Sequence, residues 1–261
     1  MKRILIALVL AIIGITVVAP SLIATHDPFA LDVINRLQAP SAEHLFGTDE
    51  AGRDIFSRVV HGARITIGSS LAIVFFAALL GTLIGATAGW FGGRIDSYLM
   101  RIVDVFLAFP YLVLAMALAA SIGRNMGSSI LALILVWWPG YARMVRGQVL
   151  SIKNELFVKA SRAIGTGNAR ILRWHVVPHT SRAVIVRATL DIGYVIIALT
   201  GLSFLGLGAQ NPSPEWGLLI SNAKAYVLFG WWYSVLPGLV LVAVVSIFVV
   251  LGDRLSKEKG R

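Results

Sequence analysis

"ITIGSSLAIVFFAALLGTLIGATAGW", Ile65–Trp90, is 26 residues long and carries no charged side chain. A helix needs about 20 apolar residues to cross about 30 Å of hydrocarbon. Lipid offers no partner to backbone N–H and C=O groups, so the run reads as a transmembrane helix. Ala77, Gly81, Gly85 and Gly89 recur at every fourth position within it, and Gly93 continues the register just beyond. Residues four apart stack on one helix face. These positions therefore form a groove of small residues, a seam along which a second helix can pack closely.

Five further stretches approach or reach the length of a span: Ile4–Ala24, Ile102–Ile122, Gly127–Ala142, Ala188–Gly208 and Trp232–Gly252. The fourth span of the chain, Gly127–Ala142, is short and contains Pro139. The whole chain of 261 residues is 57% hydrophobic and only 14% charged, against roughly 25% charged in a soluble domain. The reading is an all-α membrane protein with six transmembrane helices. Trp90-Phe91, Trp137-Trp138 and Trp231-Trp232-Tyr233 lie near span ends, where amphipathic rings favour the interface.

Orientation follows from lysine and arginine. With the N-terminus inside, the inner segments hold 17 of the 23 basic residues and the outer segments 6, which places both termini in the cytoplasm. Lys2-Arg3, the apolar run and Val17-Val18-Ala19 also resemble a cleavable signal. The run is longer than a usual signal core, which favours a retained first span. The chain then divides into a first helix (1–24), a periplasmic segment (25–64) and a core bundle (65–253) with an inner loop at 143–187, all one domain. The net charge of +10 is accounted for by this asymmetry rather than by nucleic acid. There is no cysteine for a disulfide, a thiolate metal site or a nucleophile. No G-x-x-x-x-G-K-[ST] loop is present, so any ATP chemistry belongs to another chain.

Charges inside spans are costly and pair or face water. Arg187 and Asp191, four apart, read as an intrahelical ion pair, with a gate or pore role as the alternative. Asp104 reads similarly, with Arg101 as a partner. An intramembrane aspartyl dyad of Asp104 and Asp191 finds no support in the residues around either. His175 and His179 have helical metal spacing, but Pro178 interrupts them and no carboxylate completes a site, so they read as structural and the chain as metal-free. In the outer segment, "HLFGTDEAGRDIFSR" (His44–Arg58) reads as a short charged surface helix. Thr48 would cap it, Asp49 and Glu50 would occupy its first turn, and Asp54 would pair with Arg58.

The inner loop carries nine basic residues between Arg143 and Arg187, with Glu155 as its acid. It reads as helix, break, helix. Ala160, Ala163 and Ile164 form one small apolar face. Gly165 and Gly167 interrupt it, Asn168 caps the second helix, and Pro178 ends or kinks that helix. Such a pair of short helices suits a groove on a soluble partner. It equally suits an amphipathic loop on anionic lipid.

Lys159, Ala160, Ser161, Gly165, Val177 and Pro178 occupy the positions of the E-A-A-x-x-x-G…L-P loop of ABC importer permeases, which this segment resembles. "HLFGTDEAGRDIFSR" is similar to the H-x-L-G-T-D-x-x-G-R-D-x-x-S-R segment of the dipeptide, oligopeptide and nickel branch. "TLDIG", "SFLGLGAQNPSPEWG" and the "LPG" of span six resemble that branch too, so the likeness runs from about Ala24 to Gly252. It implies a multi-pass permease of the bacterial inner membrane that carries out no catalysis itself and takes up di- or oligopeptides, or nickel in the alternative. A stand-alone membrane enzyme or channel is the rival from another class. The implied partners are a second, similar permease chain forming a heterodimer, two ABC ATPases holding ATP and Mg, a periplasmic binding protein, and membrane lipid. The implied coupling residues, in the cytoplasmic coupling helices between spans four and five, are Lys159, Ala160, Ser161, Arg162, Ala163, Gly165, Thr166, Gly167, Asn168 and Arg170. Two departures stand out: Lys159 replaces the family's glutamate, and Ser161 its second alanine. The first removes the acid expected to meet basic groups on the ATPase.

Overall fold

The charge-free run belongs to a longer helix. In the computed structural model, which describes residues 11–257, it is the larger part of Ile55–Phe91. After a first helical stretch, α1, at residues 11–18, the helices are α2 (Ile55–Phe91), α3 (Gly93–Leu107), α4 (Tyr111–Ile122) and α5 (Met126–Ile152), then α6 (Leu156–Ala163), α7 (Asn168–Phe204), α8 (Trp216–Ala223) and α9 (Trp231–Lys257). Among the described residues there is no β-strand, only an isolated bridge between Thr48 and Asp54.

By length and composition α2, α5, α7 and α9 can each cross a membrane. A fifth crossing exists if α3 and α4 act as one span, and these are bent by 90°. The bend falls inside the expected third span, Ile102–Ile122. Pro110 causes it, because it has no N–H to give the helix and drives Phe109 out of the α region. Of the expected first span, residues 4–10 lie outside the described residues. Its described part ends at Val18, before a 3-10 turn at Pro20–Leu22.

The most extensive helix pair is α2 with α5, and the small-residue seam lies between them. A Cβ on Gly81 would overlap Tyr141 and the Trp138 carbonyl; one on Gly85 would overlap the Ala142 carbonyl; one on Gly89 would lie 3.0 Å from the Arg146 carbonyl. Ala77 is fully buried in the same contact. Gly93 falls outside the seam. Gly92 ends α2 with φ +68°, and among the described residues nothing lies within 4 Å of a Cβ built on Gly93.

The expected surface helix at His44–Arg58 is instead a buried plug. Helix α2 is capped not by Thr48 but by Asp54, whose side chain accepts from the Ser57 N–H at 2.7 Å. Asp54 does not pair with Arg58. The Arg58 guanidinium is fully buried, 3.5 Å from Asp49, and donates to the carbonyls of Pro28 (3.0 Å), Pro212 (3.3 Å) and Ser213 (3.4 Å). Asp49 also binds Arg53 at 2.7 Å, and Glu50 accepts from the Tyr233 hydroxyl at 2.5 Å. A buried charge is tolerated where it is paired and hydrogen-bonded; here the two terminal nitrogens of Arg58 donate, while its buried Nε faces Asp49 without a hydrogen bond. The charges that suggest a surface thus knit the segment before α2 to α9 and to the loop before α8. The same end holds Trp216, which donates to the Val59 carbonyl at 2.8 Å, and the buried Glu215, whose carboxyl desolvation pushes up while the N–H groups of Gly217 and Leu218 oppose the shift.

Candidate functional site

The basic loop sits at the opposite end of α2 from the plug. Helix α6 rests on the ends of α2 and α5: Val158, Ile171 and Val176 are buried against Trp90, Val145 and Val149. Arg162 lies over the Trp90 ring at 4.8 Å, and Phe157 stacks on His179 at 5.0 Å. Lys153 donates to the Trp90 carbonyl at 2.8 Å, placing a cation at the negative end of α2.

The turn after α6 is a Schellman motif. Gly165 stands at φ +82°, its N–H meets the Arg162 carbonyl at 3.0 Å, and the Thr166 N–H meets the Ser161 carbonyl at 3.0 Å. Gly167 then caps α7, and Asn168 is the first helical residue rather than the cap. Pro178 does not end the second piece. A π turn at Leu172–Val176 precedes it, and the helix runs on to Phe204. A wider turn re-pairs the carbonyls that a proline leaves behind. The feature is therefore one short helix, a glycine turn and the tip of a long helix, not two short helices.

Its outward face is apolar with a basic border. Leu156 is 81% and Ile164 83% exposed, Ala160 and Ala163 are exposed beside them, and Lys159, Arg162 and Arg170 surround them. Ser161 is half-buried and returns its hydroxyl to the Phe157 carbonyl at 2.8 Å. His179 Nδ1 meets the His175 carbonyl at 2.6 Å, whereas the buried His175 Nδ1 has no hydrogen-bond partner among the described residues.

Farther along α7 the Arg187 Nε and Asp191 Oδ2 lie 3.2 Å apart. The guanidinium lies over the Tyr141 ring at 5.1 Å. A Cβ on Gly140 would meet it at 2.5 Å, so the small residue makes room for it. Arg187 and Asp191 line a cavity of about 320 Å³ with Tyr111, Trp137 and Tyr194. Asp104 pairs with Arg143 on α5, not with Arg101. Asp96 takes a two-pronged bond from Arg146 at 2.5 and 2.6 Å. The loop and the Arg187–Asp191 pair do not touch. They share α7, and the 19 residues from Asn168 to Arg187 correspond to about 28 Å of helix.

Sequence reasoning missed the meeting of His26, His44 and Asp54 at the head of α2. Their spacing of 18 and 10 residues follows no helical or strand period, so the cluster is visible only once folded.

A helical bundle with an exposed knob at one end, and with helices long enough to cross a bilayer, is the build of a multi-pass membrane protein. Residues 81–258 match the family described as binding-protein-dependent transport system inner membrane component, and the chain belongs to that family. It is a transporter permease subunit, not an enzyme in itself. It is 43% identical to the probable D,D-dipeptide transport system permease protein DdpC of Escherichia coli (strain K12), over 88% of this chain and 78% of that one. It is 42% identical to the dipeptide transport system permease protein DppC of Alkalihalophilus pseudofirmus, over 85% and 73%. It is 40% identical to the nickel transport system permease protein NikC of Escherichia coli (strain K12), over 88% and 83%. In fold it is similar to an inward-facing structure of the MetNI methionine ABC transporter, with TM-score 0.58 and 21% identity over 78% of this chain and 97% of that chain.

Proposed function

We propose that the chain is one of two different permease subunits of an ATP-driven importer of di- or oligopeptides in the bacterial inner membrane. The observation that carries the coupling role is the knob at α6 and Gly165, whose apolar face is exposed and has no partner among the described residues. Exposed side chains of this size beside a rigid glycine turn suit a cleft in a soluble partner. The knob residues Lys159, Ala160, Ser161, Arg162, Ala163, Gly165, Thr166, Gly167, Asn168 and Arg170 are assigned to docking on two ATPases. ATP and Mg reside there and not on this chain. Six spans, cytoplasmic termini and a binding protein on the outer side complete the reading. Helix α7 links the knob to Arg187 and Asp191, which are assigned to the gate.

The peptide substrate rests on the dipeptide permeases among the relatives, the two described above included. The nickel reading is favoured by one specific observation, the 40% identity to NikC. Proteoliposomes containing the chain, its permease partner, its ATPases and its binding protein decide between them. ATP-dependent uptake of a labelled dipeptide, with none of Ni²⁺, is the expected result. The reverse would establish the nickel reading, and uptake without ATP would overturn the importer assignment.

A further inference from the structure

Three side chains at the head of α2 take no part in the transport reading. Asp54 is 2% exposed, and its Oδ2 is committed to the Ser57 N–H at 2.7 Å. Its Oδ1 faces two imidazoles, with His44 Nδ1 at 2.9 Å and His26 Nδ1 at 3.9 Å. The two rings lie 4.8 Å apart, tilted by 36°. The candidate donor atoms of all three residues lie within 4.8 Å of one another.

We propose that His26, His44 and Asp54 bind a divalent late first-row transition metal, with Zn²⁺ the best match, as a clasp on the outer segment. Two imidazole nitrogens and one carboxylate oxygen suit such ions, whereas Ca²⁺ and Mg²⁺ take oxygen ligands. Metal–ligand bonds of about 2.0–2.2 Å put neighbouring donors roughly 3.0–3.5 Å apart. The distances of 2.9 and 3.9 Å to Asp54 bracket that range. The donors lie up to 4.8 Å apart, and rotation of His26, whose side chain is 37% exposed, would close that gap around a bound ion. Buried Asp54 and half-buried His44 form the fixed part, and His26 is the arm that closes. His26 also borders a cavity of about 520 Å³ open to solvent, which provides an entry path and room for water at the remaining coordination positions. The bound ion would tie together the chain after the first 3-10 turn, the loop at His44 and the N-terminus of α2. It is a resident ion of the fold, independent of what is transported.

The alternative is that His44 serves only as a hydrogen-bond donor to Asp54. The test uses the full-length chain, purified in detergent without a polyhistidine tag and stripped with chelator. Titration with Co²⁺ should develop visible d–d bands that saturate at a single equivalent, and Zn²⁺ should abolish them. Zn²⁺ should also raise the melting temperature, since it binds the folded state. His26→Ala should weaken binding by about 100-fold or more, because even outer partners of metal ligands contribute 10- to 100-fold. Its metal-free melting temperature should stay near native, since among the described residues the His26 ring hydrogen-bonds only its exposed neighbour Thr25. His61→Ala, whose Nδ1 meets the Ser57 carbonyl, should bind as the native chain does. Failure of both metals to saturate, or native affinity in His26→Ala, overturns the proposal.

Discussion

A Cβ at position 165 would meet nothing within 4 Å among the described residues, yet the backbone there stands at φ +82°. The two facts separate folding from docking. Gly165→Asp should cost the chain only about 1–2 kcal/mol of backbone strain, leaving its amount in the membrane near normal. The new carboxylate would intrude on the knob's contact surface, so we predict that co-purification of the ATPases and peptide uptake are both lost. Uptake at native rates in that variant would refute the coupling role. Arg58 is the converse case, a residue whose work lies wholly inside the chain. Its fork reaches Asp49 and three carbonyls at once. Arg58→Ala leaves those acceptors buried and unpaired, a loss of roughly 3–5 kcal/mol. Arg58→Lys should recover little of it, because an ammonium cannot span a planar fork. Thermal melts of the two variants in detergent check both statements.

At the scale of elements, the contact of α2 with α5 is internal to the chain, so overpacking it should damage folding before assembly. Gly85→Leu drives a branched side chain into the Ala142 carbonyl. Overpacking typically costs 1–3 kcal/mol where side chains can yield, and here backbone must move. We expect a sharp fall in folded monomer, read by size-exclusion yield. Gly68→Ala on the same helix meets nothing within 4 Å and should be neutral or stabilise by up to about 1 kcal/mol. The four-residue register of the seam could be read from the chain because both its cause and its effect are local to one helix. The ends of the long helices could not. Pro178 looks like a terminus, and only the π turn five residues wide explains why α7 passes through it. Arg53, Asp54 and Arg58 look like a solvated face. The carbonyls that bury Arg58 come from residues 28, 212 and 213, too distant in sequence for any periodicity to reveal. The knob's exposed face was legible, because a short apolar stripe that nothing nearby covers is a local property.

Across the whole molecule, α7 is a single rod with the knob at one end and the Arg187–Asp191 pair within the bundle. Asp191→Asn removes the acid facing Arg187 and leaves the rod intact. We expect ATPase co-purification to stay native while uptake falls sharply, because charges within a membrane path pair with one another and an unpaired one is costly. Loss of co-purification would show that the pair holds the fold and not the gate. Helix α2 has a different consequence. Its 37 residues correspond to about 55 Å, against about 30 Å of hydrocarbon. An upright α2 would overhang the oil by roughly 25 Å, which would hold the plug at its head clear of the lipid tails, as on a mast. Thickening or thinning the surrounding bilayer slides the waterline along the mast without altering its length. Uptake in vesicles of short-chain and long-chain lipids should therefore differ little, because the spacing between the two ends of the machine is set by the protein's own stature and not by the sea it floats in.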